Sequence, residues 1–315
     1  MSNILVIGAN GQLGSELVIA LRNKFGSNHV WATDIRKPEG YEEQFALLDV
    51  MDAPALQQFV QEHQIDQIYH LAAMLSAKAE QQPLAAWELN MQGLLNVLEI
   101  ARQHPAIKVF WPSSIGAFGP STPKDNTPQT TVMDPNTVYG ISKLAGERWC
   151  QYYHEKYGVD VRSVRYPGLI GYKALPGGGT TDYAVDIFYK AIQGETFHCF
   201  LKADTYLPMM YMDDAVQATL QIMAAPAGQI KIRSSYNLAA MSFSPAEIYA
   251  GIKQHYPDFD IMYEPDYRQA IADSWPRSID DSAARQHWGW QHTYGLEELI
   301  EVMLENLKSK LSVVN

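Results

Sequence analysis

Short apolar runs at residues 4–7, 29–34, 67–72, 108–112 and 161–166 alternate with stretches of helical spacing at 15–24, 53–63, 84–103 and 138–157. Strands alternating with helices of this length predict βαβ units and a parallel sheet. The runs are apolar throughout rather than at every second position, which suits a sheet covered on both faces. Beyond residue 166 the periodicity weakens. Residues 176–181 read as a loop by composition. Leu296, Leu299, Ile300, Met303, Leu304 and Leu307 then mark an amphipathic last helix, whose plain reading is core packing. No repeat, low-complexity tract or linker interrupts the chain.

Composition narrows the function. The chain has 315 residues, with 24 Lys+Arg against 35 Asp+Glu, a formal charge of −11. Such an acidic balance argues against a nucleic-acid-binding protein, which needs a basic footprint. Two cysteines, Cys150 and Cys199, make neither a disulfide framework nor a thiolate-rich zinc site. His287 and His292 stand five apart without ligand-type neighbours, so no metal is expected. The first apolar run has no basic segment before it and meets glycine at once, and no stretch offers about 20 consecutive apolar residues. A soluble, cytoplasmic protein with no membrane partner is expected.

Gly8-Ala9-Asn10-Gly11-Gln12-Leu13-Gly14 follows the first strand and opens the first helix. Glycines there permit a tight turn, close backbone approach to a pyrophosphate and close helix–strand packing. The helix N-terminus adds N–H donors for phosphates. Three glycines alone read equally well as a tight turn. Asp34, twenty residues beyond Gly14 at the end of the second strand, stands where a carboxylate accepts from an adenosine ribose. It would repel a 2′-phosphate, so NAD is expected over NADP, although Arg36 argues the other way. Asp49 and Val50 are candidates to border the adenine. Together these predict a Rossmann-type, doubly wound α/β domain.

Tyr139 and Lys143 share one face of a predicted helix at i and i+4. An ammonium there favours phenolate and poises the tyrosine as a general base. The same pair occurs by chance on many exposed helices. Ser113-Ser114, at the end of a predicted parallel strand, places hydroxyls where such sheets bind ligands.

At this point the sequence resembles the extended short-chain dehydrogenase/reductases. The resemblance is carried by Gly8/Gly11/Gly14, His70-Leu71-Ala72-Ala73, Asn90, Ser114, Tyr139…Lys143, Arg165-Tyr166-Pro167-Gly168, Asp213-Asp214-Ala215 and Asp281…Trp288-Gly289-Trp290. Within them it is similar to the NAD-dependent L-threonine 3-dehydrogenases of epimerase-like fold. That similarity rests on residues 112–120, 176–184, 207–214 and 272–276.

The resemblance implies Tyr139 as base, Lys143 as its stabiliser and Ser114 as donor to the substrate oxygen. It extends the cofactor contacts to Leu71, Ala72, Ala73, Asn90 and Tyr166. Candidates to hold the amino acid are Ser76 and the hydroxyls and backbone N–H groups of residues 178–181, Gly179, Thr180 and Thr181 among them. Trp275 is expected to close the pocket, and the glycine loop is a candidate lid. His70 is expected to be structural, and Cys150 to pack. The helices at 84–103 and 138–157 resemble those that pair in a homodimer.

The implied activity is oxidation of the threonine β-hydroxyl. A nucleotide-sugar epimerase or dehydratase and a catalytically silent NAD-binding regulator are the alternatives. The nucleotide lobe is expected over residues 1–171, with returns near 212–216 and 235–239. Residues 172–315 would mainly form a smaller substrate lobe.

Overall fold

Ile4, Leu5, Val6 and Ile7 are all buried, so the first strand is covered on both faces. A computed structural model describes residues 2–38, 44–174 and 179–312. The chain runs β1 (Ile4–Ile7), α1 (Gln12–Phe25), β2 (Val30–Asp34), β3 (Phe45–Leu47), α2 (Ala53–Glu62), β4 (Gln67–His70), α3 (Ser76–Gln81), α4 (Pro83–Gln103), β5 (Lys108–Ser114), α5 (Val138–Tyr157) and β6 (Asp160–Tyr166). It continues through β7 (Gly168–Ile170), α6 (Tyr183–Gln193), β8 (Phe197–Cys199), β9 (Leu207–Tyr211), α7 (Met212–Ala224), β10 (Tyr236–Asn237) and β11 (Met241–Phe243). The last elements are α8 (Pro245–His255), β12 (Ile261–Tyr263), α9 (Tyr267–Ser274), α10 (Ser282–Trp288) and α11 (Leu296–Ser312).

Seven strands form one parallel sheet in the order β10-β6-β5-β4-β1-β2-β3. The chain leaves β1 toward β2 and β3, then returns to lay β4 on the other side of β1. The carboxyl ends of β1 and β4, paired at Ile7 and His70, therefore border the switch point where such sheets bind ligands. Leu94, Val97 and Leu98 of α4, with Cys150 of α5, pack on one face of the sheet. Leu17 and Leu21 of α1, with Ala215 and Ala218 of α7, pack on the other.

A second apolar core gathers β7, β9 and β11, the β8–β12 pair and helices α6, α8, α9 and α11. Leu299, Ile300, Met303, Leu304 and Leu307 are buried in it, so the stripe on α11 is packing, as its plain reading holds. The fold differs from the sequence reading at some edges. Helix α1 starts at Gln12, directly after Gly11, and β5 runs on to Ser114. Strand β3, which the sequence reading did not include, is a three-residue strand at the sheet edge with Leu47 exposed. No helix among the described residues is long and apolar enough to cross a membrane.

Candidate active site

The glycine loop shows why each glycine stands where it does. Gly8 adopts φ +83°, and a Cβ there would lie 2.6 Å from the Ala72 nitrogen. A Cβ on Gly14 would meet the Gly8 carbonyl oxygen at 2.3 Å. Both therefore serve close packing of loop, helix and β4. Gly11 differs: it is exposed, and its Cβ would have only the Gly8 oxygen, at 3.4 Å, within reach. No side chain caps the α1 N-terminus at Gly11. An open backbone cradle thus faces the switch point with helix N–H groups behind it, which fits a pyrophosphate.

Asp34 ends β2 half-buried. Its Oδ2 accepts from the Asn10 backbone N–H at 3.1 Å, and Oδ1 from the Ile35 N–H at 2.8 Å. The Asn10 amide donates to the Arg36 carbonyl at 2.5 Å, which ties the loop to this strand end, while the Arg36 side chain is exposed. Asp49 is exposed and accepts from the Met51 N–H. Val50 is buried, and its carbonyl accepts from Asn96 at 2.8 Å.

A cleft of about 250 Å³ opens between the two cores. Gly8, Gly11, Gln12, Leu13, Gly14, Leu71, Ala73, Ser76, Ser114, Tyr139, Lys143, Tyr166, Gly179, Thr180, Thr181 and Trp275 line it, gathered from seven segments of the chain. Asn10, Asp34, Arg36, Asp49, Val50, Ala72 and Asn90 lie outside its wall. Ala72 backs Gly8. Asn90 is buried, accepts from the Met74 N–H at 2.8 Å and donates to Ser142 Oγ at 3.2 Å, so it braces the 71–75 loop against α5. Tyr166 lines the cleft, yet its hydroxyl bonds to Thr219 and to the Ala215 carbonyl on α7. Leu75, Pro112, Ser113, Ile115, Pro167, Gly168, Leu169 and Asp182 also line the wall without having been assigned from sequence. The Pro167-Gly168 pair offered a signal, since a Cβ on Gly168 would strike Met209 and Thr181. Asp182 accepts from the Gly179 N–H at 2.6 Å. Residues 176–178 of the glycine loop lie outside the described residues.

At the floor of the cleft, Thr137 caps α5, accepting from the Gly140 N–H at 3.0 Å. A Cβ on Gly140 would lie 2.1 Å from the Gly116 oxygen, and one on Gly116 would lie 3.1 Å from the Tyr139 ring. These two glycines let the start of α5 close on the turn Ile115–Ala117. Ser114 thereby lies beside the Tyr139 hydroxyl, and its Oγ accepts from the Gly116 N–H at 3.1 Å.

Lys143 is buried, donates to the Pro112 carbonyl at 2.6 Å, and lies 4.6 Å from the Trp111 ring centroid and 5.4 Å from that of Tyr139. Its other two N–H donors have no acceptor among the described residues, which suits the hydroxyls of a ribose. The expectation that helix spacing alone poises the phenol near neutral pH is corrected. Burial pushes Tyr139 up to about 12 with neighbouring Ser114 opposing it, and burial takes Lys143 down to about 7 with the Glu147 carboxylate opposing it. Desolvation of both groups outweighs their helix spacing.

His70 is buried with neither ring nitrogen partnered among the described residues; burial, then Lys143, takes it down to about 3. His287 bonds to the Tyr236 hydroxyl and His292 to Arg285. No cluster able to hold a metal ion occurs among the described residues.

A model of the NAD dependent epimerase/dehydratase family matches residues 4–239. An uncharacterized epimerase/dehydratase of Staphylococcus saprophyticus is 49% identical over 315 residues, covering 98% of this chain and 98% of that one. The fold superposes on a GalE-like L-threonine dehydrogenase from Cupriavidus necator, holo form, with a TM-score of 0.95 and 57% identity, covering 97% and 99% of the two chains. It superposes equally, at 0.95, on a monomeric L-threonine 3-dehydrogenase from a metagenome, with 46% identity and coverage of 98% and 99%.

Proposed function

The chain belongs to the NAD-dependent epimerase/dehydratase family, and we propose that it oxidises the β-hydroxyl of L-threonine to 2-amino-3-oxobutanoate. The observation that carries this reading is the Ser114–Tyr139 hydroxyl pair, with Lys143 beneath it, in a cleft that also holds the glycine cradle and Thr180-Thr181. Bound NAD⁺ supplies the hydride acceptor and a positive charge.

The chain's own groups do the rest. Ser114 donates to the substrate oxygen and fixes it. Tyr139 takes the hydroxyl proton as the carbon is oxidised. Lys143, pinned to Pro112, favours the phenolate and offers its two unspent N–H donors to the nicotinamide ribose. Ser76 and the hydroxyls and N–H groups around Thr180 and Thr181 hold the amino acid's carboxylate, while Trp275 walls off water. Asp34 takes the adenosine ribose hydroxyls, with Asp49 and Val50 toward the adenine. The product loses carbon dioxide spontaneously to give aminoacetone.

Residues 1–171, with 212–216 and 235–239, make up the nucleotide lobe in this reading, and 172–315 mainly the substrate lobe. A homodimer is supported by Leu84 and Trp87 on α4 and by Ile141, Trp149 and Tyr152 on α5, all exposed on adjacent helices. A reducing, cytoplasmic setting agrees with two free, buried cysteines.

The test is NAD⁺ reduction by the purified protein with L-threonine, D-threonine, L-allo-threonine, L-serine and UDP-glucose offered separately. Turnover with L-threonine above the others is expected. Conversion of UDP-glucose to its 4-epimer without net NAD⁺ reduction, followed by NMR, would move the reading to an epimerase, and no turnover of any would point to a regulator.

A further inference from the structure

Glu147 stands on α5 one turn beyond Lys143 and two beyond Tyr139, so the three side chains share a helix face. It is fully buried. Its Oε1 accepts from Ser113 Oγ at 2.6 Å and Arg165 Nε at 2.8 Å, and its Oε2 accepts from Arg165 Nη2 at 2.7 Å. Ser113 and Arg165 are register partners across β5 and β6, and Ser113 directly precedes Ser114. The rest of the guanidinium is spent on Asn237 Oδ1 at 2.9 Å and the Gln129 carbonyl at 3.1 Å. One carboxylate therefore joins the helix that carries Tyr139 and Lys143 to the strand that ends in Ser114.

Stability alone does not account for this pair. Desolvating two ions costs about what their attraction returns, and apolar residues of similar volume would pack α5 on the sheet as well. They would not balance charge. Arg165 is a buried guanidinium paired directly to Glu147, which itself stands one helical turn from Lys143. The other groups around Lys143 are Cys150 and Tyr139 on α5, the Trp111 ring and Pro112 carbonyl on β5, and His70 on β4. Of these, neutral His70 and the thiol of Cys150 supply no compensating charge at neutral pH.

We propose that Glu147 is a positioning residue for the reaction: it cancels the charge of the Arg165 it pairs with, one helical turn from Lys143, so that the lysine keeps its proton, and it locks α5 to the strand ending in Ser114. The proposal rests on the reading of Ser114, Tyr139 and Lys143 as the reacting set. Glu147 is among the groups that hold the buried ammonium up. Without it the amine would become neutral at lower pH and cease to stabilise a phenolate.

The test is an NMR titration of the full-length protein labelled at lysine Cε, with the Lys143 signal assigned from Lys143→Met. Wild type, Glu147→Gln and Arg165→Gln are compared, each checked for folding by circular dichroism. Glu147→Gln is expected to move the Lys143 titration down by about one pH unit or more, and Arg165→Gln to move it up. The double variant leaves no unpaired ion and is expected near the wild-type position, which keeps the test decisive if a single variant does not fold. An unmoved titration in either folded single variant, or a displaced one in the double, overturns the proposal. No substrate enters this measurement, so a protein that leaves threonine untouched would sink the proposed function without touching this result.

Discussion

The Lys143 ammonium donates to the carbonyl of Pro112 at 2.6 Å, two residues before the Ser114 hydroxyl on the same strand. The cation is thereby fixed to β5 rather than left to the solvent, although it belongs to α5. Helix α5 and strand β5 are one unit at this contact.

Tyr139→Phe removes the proton acceptor and leaves the ring against Gly116. Turnover should fall by at least about 10²-fold, while NAD⁺ affinity by calorimetry stays near wild type. Near-wild-type turnover at every pH would refute the role of the phenol.

Lys143 also makes a stability prediction. Its folded pKa, about 7, lies below the unfolded value of 10.5, so the unfolded chain binds more protons between those limits. The penalty for burying the ammonium is complete below about pH 7 and fades as pH rises toward 10.5. Lys143→Met should therefore melt above wild type at pH 6–7, with the gap closing toward pH 10.5, and should be inactive. A melting point below wild type at pH 6 would contradict the burial cost.

The three glycines should separate by role. Gly8→Ala and Gly14→Ala meet backbone atoms at 2.6 and 2.3 Å and should lower stability by roughly 1–3 kcal/mol or more. Gly11→Ala has room and should melt like wild type without ligand, yet lose much of the NAD⁺-induced rise in melting temperature. Equal effects at all three positions would refute the separate cradle role of Gly11.

Asp34 should set the cofactor preference. Asp34→Ser removes the charge that would repel a 2′-phosphate, and the NADP⁺ to NAD⁺ ratio of kcat/KM should rise at least about tenfold. It should also loosen the loop, because Asp34 holds the Asn10 N–H. An unchanged ratio would place the ribose elsewhere.

Charge placed on the exposed faces of α4 and α5 should divide the proposed dimer. Trp149→Glu together with Leu84→Glu is expected to give monomers by light scattering, with wild type dimeric. A monomeric wild type at micromolar concentration would remove the homodimer.

Strand β1 and Gly8, Gly11 and Gly14 were legible because an apolar run and a turn meet there within a few residues. Tyr139 and Lys143 were legible as a pair because helix geometry alone brings them to one face. Their ionisation was not: burial, a product of the whole fold, raises the one and lowers the other. Strand β3 was missed because its run Phe45-Ala46-Leu47 is only three residues long and, at the sheet edge, none of the three is buried. Asn90 carried a family signature, but its place bracing Met74 to Ser142 depends on three segments meeting. Leu75, Pro167 and Asp182 joined the cleft only through the packing of one core against the other.

In the proposed reaction, hydrogen leaves the β-carbon of L-threonine and reaches NAD⁺ in this cleft. L-Threonine deuterated at that carbon, turned over with NAD⁺ and analysed by mass spectrometry, tests it most directly. One deuterium is expected in each reduced cofactor and none in the aminoacetone formed. Reduced cofactor without deuterium, or no reduction at all, would contradict it.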